Sequence, residues 1–392
     1  MRGFVAQFES LPFRRISVKK ICNLATVHLR DNTRIFKKEC LVESKHYETH
    51  YITCDGGSNE LKDGIHIHAV KRFKTKILRA VFAPFEVYKK TKSVDADIYV
   101  LHDPELLLIA LSLQKRGKCI IWDCHEYYLE EALVKKHLPF LLRIATLLYL
   151  KFTFRLIVPR LNAVIVVSET MKELWLKYRV EKIFVLHNYA LLKNINSIQT
   201  PDFEHSRCIL FTGKPRLRLL DLVRALKMCK NRVKLILRLK LVPSDNFDLS
   251  EIKNSIEVDC KNNVSFEEIV SQSKKCFAAV SLSGYCPKLV YPLTKYYEYM
   301  AESLPIIELG GCPNEFLKTL MNNDNHPLGL VVDSDPQTIA NAIDYLYENK
   351  EVARTMGMNG RKAFETKYNF ESEADGFLKF LEEVSQSKNQ NK

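Results

Sequence analysis

The 392 residues of this chain are too many for one ordinary hydrophobic core and predict two domains of roughly 150 to 200 residues each. The eleven cysteines form no CxxC pair and no metal-binding spacing, which argues against a disulfide scaffold or a zinc module and predicts reduced thiols in a cytosolic protein. The net charge of +13 favours anionic partners such as nucleotides, nucleic acid or an acidic membrane surface, but charge alone does not choose among them.

The first half of the chain predicts strands separated by helices. Residues 1–17 contain no apolar run long enough for a signal peptide or a membrane span, so we expect a short extension there. Strand-like runs follow at 18–24, 49–53, 65–70, 98–101, 119–122, 163–167 and 183–186. Helices are predicted from the loop at 28–34 to about Lys45, at 104–114 and at 169–178. This alternation predicts a parallel sheet with helices on both faces.

The second half repeats the same alternation. The polar stretch 191–206 predicts an interdomain linker, after which strand-like runs stand at 208–213, 233–239, 277–282, 306–308 and 328–332. The sequence therefore predicts two doubly wound α/β domains in tandem. Ligands bind such folds at the carboxyl ends of the strands, so we expect a cleft between the two sheets.

The helix predicted between Pro139 and Pro159 is unusually apolar. Arg143, Lys151 and Arg155 are spaced to share one of its faces, and three cations argue against a membrane span. Two interpretations are equally open. The segment is either a basic amphipathic helix on an anionic membrane surface or a buried domain helix with a narrow stripe toward solvent.

Glu298 lies in a predicted helix among tyrosines, from Leu293 to Ser303. A carboxylate in such surroundings lies either on the solvent face or inside, where a polar group meets it. Lys295, three residues earlier, shares its helical face and could bind an anion or simply pair with Glu298.

Several stretches in order resemble the retaining glycosyltransferases of family 4, from about residue 18 to 384. The stretches are VHLRDNTRIFKKECLV (27–42), DADIYVLHDPELLLIAL (95–111), KCIIWDCHEYY (118–128), AVIVVSETMKELW (163–175), VLHN (185–188), PLTKYYEYMAESLPII (292–307) and YNFESE (368–373). The ordered set is far more specific than any single stretch.

The resemblance implies the GT-B fold, in which two Rossmann-like doubly wound domains face a central cleft and the C-terminal helix packs back toward the N-terminal domain. The corresponding expected ranges are 1–17 for the extension, 18–190 for the acceptor domain, 191–206 for the linker, 207–368 for the nucleotide-sugar domain, 369–384 for the closing helix and 385–392 for a disordered tail. It also implies a nucleoside diphosphate sugar as donor and transfer without a metal or other cofactor.

On the donor side, the resemblance assigns Glu298 to the donor ribose. The basic loop after strand 208–213 is where the family binds the diphosphate, although such a loop is equally often plain solvated surface. The expected donor-binding residues are Gly213, Lys214, Arg216, Arg218, Tyr291, Lys295 and Glu298. The family's second glutamate, eight residues before Glu298, is replaced here by Val290, and a loop with Tyr285, Tyr291 and Pro292 could take over its positioning role.

On the acceptor side, the resemblance places the loop after the first strand near the reacting groups. His28, Arg30 and Arg34 are the expected residues of that loop. His102 with Asp103, and His125 with Glu126, follow two predicted strands and could face the same cleft. A histidine there could act as a base or hydrogen-bond the sugar, so His102, His125 and Glu126 are the expected catalytic residues, with a structural role for each histidine as the alternative.

The sequence thus predicts a retaining, metal-independent hexosyltransferase that moves a sugar onto a hydroxyl of a glycan or lipid-linked glycan in cell-surface polysaccharide synthesis. It would be cytoplasmic, with possible peripheral binding at the inner face of the cell membrane through 139–159. A catalytically silent binding or partner subunit and a nucleotide-sugar epimerase of the same architecture are the alternatives. No zinc, helix-turn-helix or RNA-binding motif supports nucleic acid as a partner.

Overall fold

The computed structural model describes residues 19–134, 139–192, 200–213, 218–239, 250–282, 294–310, 320–322 and 325–387. The chain divides into two compact units. The first comprises Met1–Ile165, Tyr178–Ile183 and Leu381–Lys392, and the second comprises Val166–Lys177 and Phe184–Phe380. The predicted extension lies outside the described residues, as do residues 193–199 of the predicted linker.

The first sheet has eight strands. They are β1 (Lys20–Ala25), β2 (Glu48–Thr53), β3 (Glu60–Lys62), β4 (Ile65–Ala69), β5 (Ile98–Leu101), β6 (Cys119–Cys124), β7 (Ala163–Val166) and β8 (Ile183–Val185). Their order is β3-β4-β2-β1-β5-β6-β7-β8. β1 pairs in parallel with β2 on one side and with β5 on the other, so the winding of the chain reverses at β1. In a doubly wound sheet this reversal marks the edge where ligands bind.

The central strands of this sheet were predictable because they are buried on both faces. Every residue of β5, β6 and β7 is buried, and each strand is a nearly continuous apolar run rather than an alternating one. Trp122 of β6 is fully buried and packs on Phe154 and Tyr128, with ring centroids 5.3 Å and 6.1 Å away. Its aromatic surface therefore belongs to the core.

Helices cover this sheet. They are α1 (Leu41–Glu43), α2 (Lys76–Val94), α3 (Leu107–Lys115), α4 (Tyr128–Val134) and α5 (Phe140–Leu156), with a π-helix at Ile35–Cys40 and 3-10 turns at Pro104–Leu106 and Val158–Arg160. The next helix along the chain, α6 (Glu169–Lys177), belongs to the second unit. The sequence analysis predicted no element at α2. A start signal was present, since the Thr75 hydroxyl caps the helix by accepting from the Leu78 amide.

The second sheet has six parallel strands. They are β9 (Cys208–Gly213), β10 (Lys234–Leu239), β11 (Val258–Asn262), β12 (Cys276–Leu282), β13 (Ile306–Leu309) and β14 (Gly329–Val332), in the order β11-β10-β9-β12-β13-β14. The winding reverses here between β9 and β12. The helices are α7 (Arg218–Met228), α8 (Ser250–Lys253), α9 (Phe266–Ser273), α10 (Thr294–Ala301), α11 (Pro336–Glu348), α12 (Lys350–Thr366) and α13 (Glu371–Ser387). Both sheets are therefore Rossmann-like, as predicted.

The last helix, α13, begins in the second unit and ends in the first, to which Leu381 and the residues after it belong. Near its end the Lys19 ammonium donates to the Ser385 hydroxyl at 2.9 Å. The predicted return of the C-terminal helix to the N-terminal part of the chain is confirmed.

α5 exposes much of its apolar side. Phe140, Leu141, Leu148 and Phe152 are 56–78% exposed, whereas Leu150 is buried. These exposures do not fit a buried helix with a narrow solvent stripe, which was one of the two interpretations of 139–159. Among the described residues, no helix has both the length and the apolar character that crossing a membrane requires.

Candidate active site

The first unit gathers buried polar side chains where β1, β5 and β6 end. Thr26 follows β1, His102 and Asp103 follow β5, Asp123 is the last residue but one of β6, and His125 follows that strand. Because the three strands are parallel neighbours, their carboxyl ends meet at one edge of the sheet, next to the reversal of winding. The structure thus brings together the histidines that the sequence predicted to face a site.

Asp123 is the centre of this group and is fully buried. Arg34 donates to both of its oxygens, from Nε to Oδ2 at 2.8 Å and from Nη2 to Oδ1 at 2.7 Å. His102 Nδ1 and His125 Nδ1 lie 3.0 Å and 3.2 Å from Oδ2. Burial opposes the charge of Asp123, but the Arg34 guanidinium and the two histidines outweigh it and hold the pKa of this carboxyl well below its ordinary value.

His28 and His125 face each other with their Nε2 atoms 3.2 Å apart. The Ile35 amide donates to Asn32 Oδ1, so the Asn32 side chain presents its NH₂ to His28 Nδ1 at 3.0 Å. His28 then carries its proton on Nε2, between His125 and Asp103 Oδ1, which is 3.6 Å away. Burial lowers the pKa of His28 to about 4, so its ring is neutral at pH 7.

His125 has the opposite tendency. Burial disfavours its charged form, but the hydrogen bond to Asp123 outweighs burial and raises the pKa of His125 above its ordinary value. Its Nδ1 is held by the Asp123 carboxylate, and its Nε2 faces His28 Nε2, so proton exchange or hydrogen bonding with a substrate would require the His28 ring to give up this contact. The His28 side chain is 22% exposed, whereas His102 is fully buried, and the role that the sequence analysis assigned to His125 stays a prediction.

His102 lies deeper. Its ring is fully buried, with Nδ1 on Asp123 and Nε2 at 2.8 Å from Asn23 Oδ1, and burial lowers its pKa. Asn23 in turn donates to Glu43 at 2.6 Å, and burial raises the pKa of Glu43 to about 8. Both ring nitrogens of His102 are therefore occupied by protein partners, which favours the structural alternative for this residue.

Asp103 fixes the loop that follows β1. Its Oδ2 accepts from the backbone amides of Thr26 and Val27 at 2.6 Å and 3.0 Å. Arg30 lies apart from the histidines, because its guanidinium binds Asp55 at 2.5 Å and Glu60 at 2.9 Å. The predicted acceptor-side residues thus separate into His28 and Arg34, which reach the cluster, and Arg30, which does not.

Glu126 is half-buried directly after His125, and its backbone carbonyl accepts from the Cys124 thiol at 3.6 Å. His102, Asp123 and His125 place one ligand atom each within 4.8 Å of one another, a spacing that a metal ion could use. Arg34 already donates to both oxygens of Asp123. A guanidinium in that position competes with any cation, so we interpret the cluster as a hydrogen-bonded group.

The second unit brings two predicted donor residues together at the carboxyl end of β9. Lys295 on α10 donates to the Thr212 carbonyl at 2.7 Å and lies 4.6 Å from the centre of the Phe211 ring. Gly213 has φ +118°, and a Cβ there would lie 3.0 Å from the Lys295 nitrogen. Glycine at this position therefore permits the ammonium to approach the strand end.

Glu298 is half-buried on α10, one turn after Lys295. The tyrosines around it have structural partners. Tyr296 binds Glu308, the Tyr299 hydroxyl accepts from the Thr212 amide at 3.0 Å, and Tyr297 packs edge-on against Tyr189. The aromatic character of this helix thus comes from core packing, and Glu298 is exposed enough to meet a ligand.

The other predicted donor residues stand largely outside the described part of the chain. Lys214, Arg216, Tyr285, Val290, Tyr291 and Pro292 are outside it, and Arg218 opens α7 without a described side chain. Two other stretches that resemble the family, 185–188 and 368–373, contact each other. The His187 amide donates to Glu373 Oε2 at 2.9 Å, and His187 Nδ1 lies 2.5 Å from Glu373 Oε1.

Asp123 and Glu43 were not predicted as site residues. A carboxylate inside the apolar run Cys119–Cys124 was a usable signal for Asp123, since a buried charge needs a partner. The residues next to Glu43 in the sequence give no corresponding indication that its carboxylate is buried.

Comparison with known proteins agrees with this architecture. Residues 39–189 match the model of Glycosyltransferase Family 4. The fold is similar to that of sucrose-phosphate synthase from Thermosynechococcus elongatus, with a TM-score of 0.70, 13% identity, and coverage of 94% of this chain and 100% of that chain. No curated protein matches the chain by sequence.

Two further solved structures share the fold. Anabaena HepE, solved in complex with UDP-glucose, has a TM-score of 0.64 at 11% identity, with 95% of this chain and 99% of that chain covered. WaaG, a glycosyltransferase involved in lipopolysaccharide biosynthesis, has a TM-score of 0.64 at 12% identity, with 91% and 99% covered. Residues 39–189 are thus similar to Glycosyltransferase Family 4, and the fold of the chain is the GT-B fold of these glycosyltransferases.

Proposed function

We propose that this protein is a retaining glycosyltransferase that moves a hexosyl group from a nucleoside diphosphate sugar to a hydroxyl of a glycan or lipid-linked glycan. The observation that carries the proposal is the polar cluster around Asp123, at the carboxyl ends of β1, β5 and β6, of which β5 and β6 lie in the part of the chain that matches family 4. HepE with its UDP-glucose, and WaaG with its role in lipopolysaccharide synthesis, support a nucleotide-sugar donor and a cell-surface glycan.

On the donor side, Lys295, Glu298 and Gly213 would hold the nucleotide. The Lys295 ammonium at the end of β9 can exchange its carbonyl partner for a phosphate oxygen, and Gly213 leaves the space for a close approach. Glu298 would accept hydrogen bonds from the ribose hydroxyls. Lys214, Arg216, Arg218 and Tyr291 complete this proposed set on grounds of sequence.

On the acceptor side, His125 would hydrogen-bond the sugar or exchange a proton with the reacting hydroxyl. Asp123 orients the His125 ring through Nδ1, and His125 Nε2 shares a proton with His28 Nε2. Loss of the diphosphate leaves a cationic sugar, so charge stabilisation would come mainly from the cations at the phosphates. We propose that this stabilisation needs no metal ion.

The test is transfer and hydrolysis with a panel of UDP-, GDP-, ADP- and CDP-sugars, with the anomeric configuration of the product read by NMR. We expect turnover that survives EDTA and falls at least a hundredfold in Glu298→Ala and His125→Ala. Isothermal titration with the free nucleotides separates the alternatives. Binding without turnover indicates a silent partner subunit, and release of an isomerised sugar indicates an epimerase. The proposal would be contradicted if the protein bound no nucleotide and Glu298→Ala left its activity unchanged.

We further propose peripheral association with an anionic membrane through 139–159. In α5, Leu148 and Phe152 are exposed beside the exposed cations Lys151 and Arg155, a combination that suits an anionic lipid surface. Flotation with phosphatidylglycerol liposomes tests this, and replacing Arg143, Lys151 and Arg155 with glutamate should abolish binding. Replacing Arg224, Lys227 and Lys230 with glutamate gives the same charge change in the second unit. Equal loss in both variants would show that only net charge matters.

A further inference from the structure

Three histidines share one face of the first sheet, away from the Asp123 cluster. His66 and His68 are two residues apart on β4, so their side chains leave the same face. His50 on β2 is the registered neighbour of His66. His50 is buried, His68 is half-buried and His66 is exposed, so the group extends from the sheet interior to solvent.

The ring nitrogens of this group are close. His50 Nδ1 and His68 Nε2 are 3.0 Å apart, and the two rings stack with centroids 5.3 Å apart. Two imidazole nitrogens bound to one tetrahedral zinc ion at about 2.0–2.1 Å lie roughly 3.3 Å from each other. The pair therefore already has nearly the spacing of two ligands on one ion. The His66 ring stacks on the His50 ring, with the two centroids 4.9 Å apart.

A carboxylate sets the tautomer of His50. Glu48 Oε1 lies 3.1 Å from His50 Nε2 and also 3.1 Å from the Lys20 ammonium. Because the carboxylate only accepts, the His50 proton is on Nε2 and the lone pair of Nδ1 is directed at His68. A carboxylate behind a histidine is the usual orienting partner of a metal ligand.

We propose that His50, His66 and His68 form a site for a divalent transition-metal ion of the zinc class, with Glu48 as the positioning residue behind His50. On binding, the proton on His68 Nε2 moves to Nδ1, and the exposed His66 ring rotates to supply the third nitrogen. A fourth position remains for water, as in three-histidine sites.

The ligand atoms of the group favour this class of ion over calcium or magnesium. Hard cations need oxygen ligands, whereas the ligands here are imidazole nitrogens. Lys20 and the nearby Lys90 disfavour an ion held by charge alone. Burial lowers the pKa of His68 to about 4 and lowers that of His50 as well, so the rings are in the neutral form that binds metal at pH 7.

The experiment uses the full chain with Zn²⁺ by isothermal titration and with Co²⁺ by visible absorption. We expect one tight ion with d–d bands of nitrogen and oxygen ligation. His66→Ala and His68→Ala should each weaken affinity at least tenfold, and Glu48→Gln about tenfold. His46→Ala removes an exposed histidine outside the group and should change nothing. Circular dichroism checks that each variant folds. Because His66 is exposed, we expect its replacement to leave the fold intact.

Three outcomes would overturn the site. The first is wild-type affinity in His66→Ala and His68→Ala. The second is loss of the ion in His125→Ala but not in His68→Ala, which would assign it to the cluster around Asp123. The third is an intense near-ultraviolet thiolate band with Co²⁺, which would assign it to cysteines.

Discussion

Arg34 and Asp123 form a bidentate ion pair inside the first unit, with Nε donating to Oδ2 at 2.8 Å and Nη2 donating to Oδ1 at 2.7 Å. Arg34 stands in the loop after β1 and Asp123 at the end of β6, so the pair joins two strand ends that are 89 residues apart in sequence. The same carboxylate orients His102 and His125. One ion pair therefore fixes both the loop and the histidines of the candidate site.

Removing one partner of this pair should be costly. Arg34→Met leaves the Asp123 charge buried without its guanidinium, and we expect the free energy of unfolding to fall by about 3–5 kcal/mol. Urea denaturation measures it. Arg30→Met is the matched control, because the Arg30 pair is partly exposed and should contribute about 1 kcal/mol or less. Equal losses in the two variants would contradict the central role of Arg34.

Glu43 predicts a pH dependence of stability. Burial raises its pKa in the folded protein to about 8, above the value of 4.5 for a free side chain. The folded state thus retains a proton that the unfolded state releases. The stabilisation is fully present below about pH 4.5 and is lost as the pH rises to about 8, by at most about 1.4 kcal/mol per pH unit.

Glu43→Gln removes this titration and keeps the hydrogen bond with Asn23. The stability of the wild type relative to this variant should therefore fall steadily between pH 5 and pH 8, measured by urea denaturation at each pH. The exposed Glu383→Gln provides the control and should give a flat difference. A flat difference for Glu43→Gln as well would show that its carboxyl is ionised throughout.

Gly213→Ala should destabilise the second unit for two reasons. Its φ of +118° strains any side chain, by about 1–3 kcal/mol, and a Cβ would press on the Lys295 ammonium at 3.0 Å. Gly64→Ala is the control, since its φ of +78° gives strain without any atom within 4 Å. Thermal unfolding should show the larger loss in Gly213→Ala. An equal loss would mean that Lys295 moves aside freely.

The contact between His187 and Glu373 should stabilise the second unit. Glu373→Ala removes a carboxylate that binds both the amide and the ring of His187, and we expect a loss of about 1–3 kcal/mol in chemical denaturation. Glu383→Ala, on the exposed side of the same helix, should cost a few tenths. A loss no larger than this control would show that solvent replaces the carboxylate.

The sequence predicted what local pattern determines. The central strands, such as β5, β6, β7 and β12, are fully buried and mostly apolar, and the positions after β5 and β6 follow from where those runs end. The pairing of Arg34 with Asp123 could not be predicted from the residues alone, because it depends on which strands become neighbours. The helix α2 went unpredicted since its exposed apolar residues, such as Phe82 and Phe85, blur the helical periodicity.

The chain has two tryptophans, Trp122 and Trp175, and both are buried. Trp122 precedes Asp123 in the first unit, and Trp175 lies on α6 in the second. Each unit therefore carries one native fluorophore. In Trp175→Phe and Trp122→Phe the remaining emission follows one unit at a time, so the protein can itself report whether its halves melt together or in sequence.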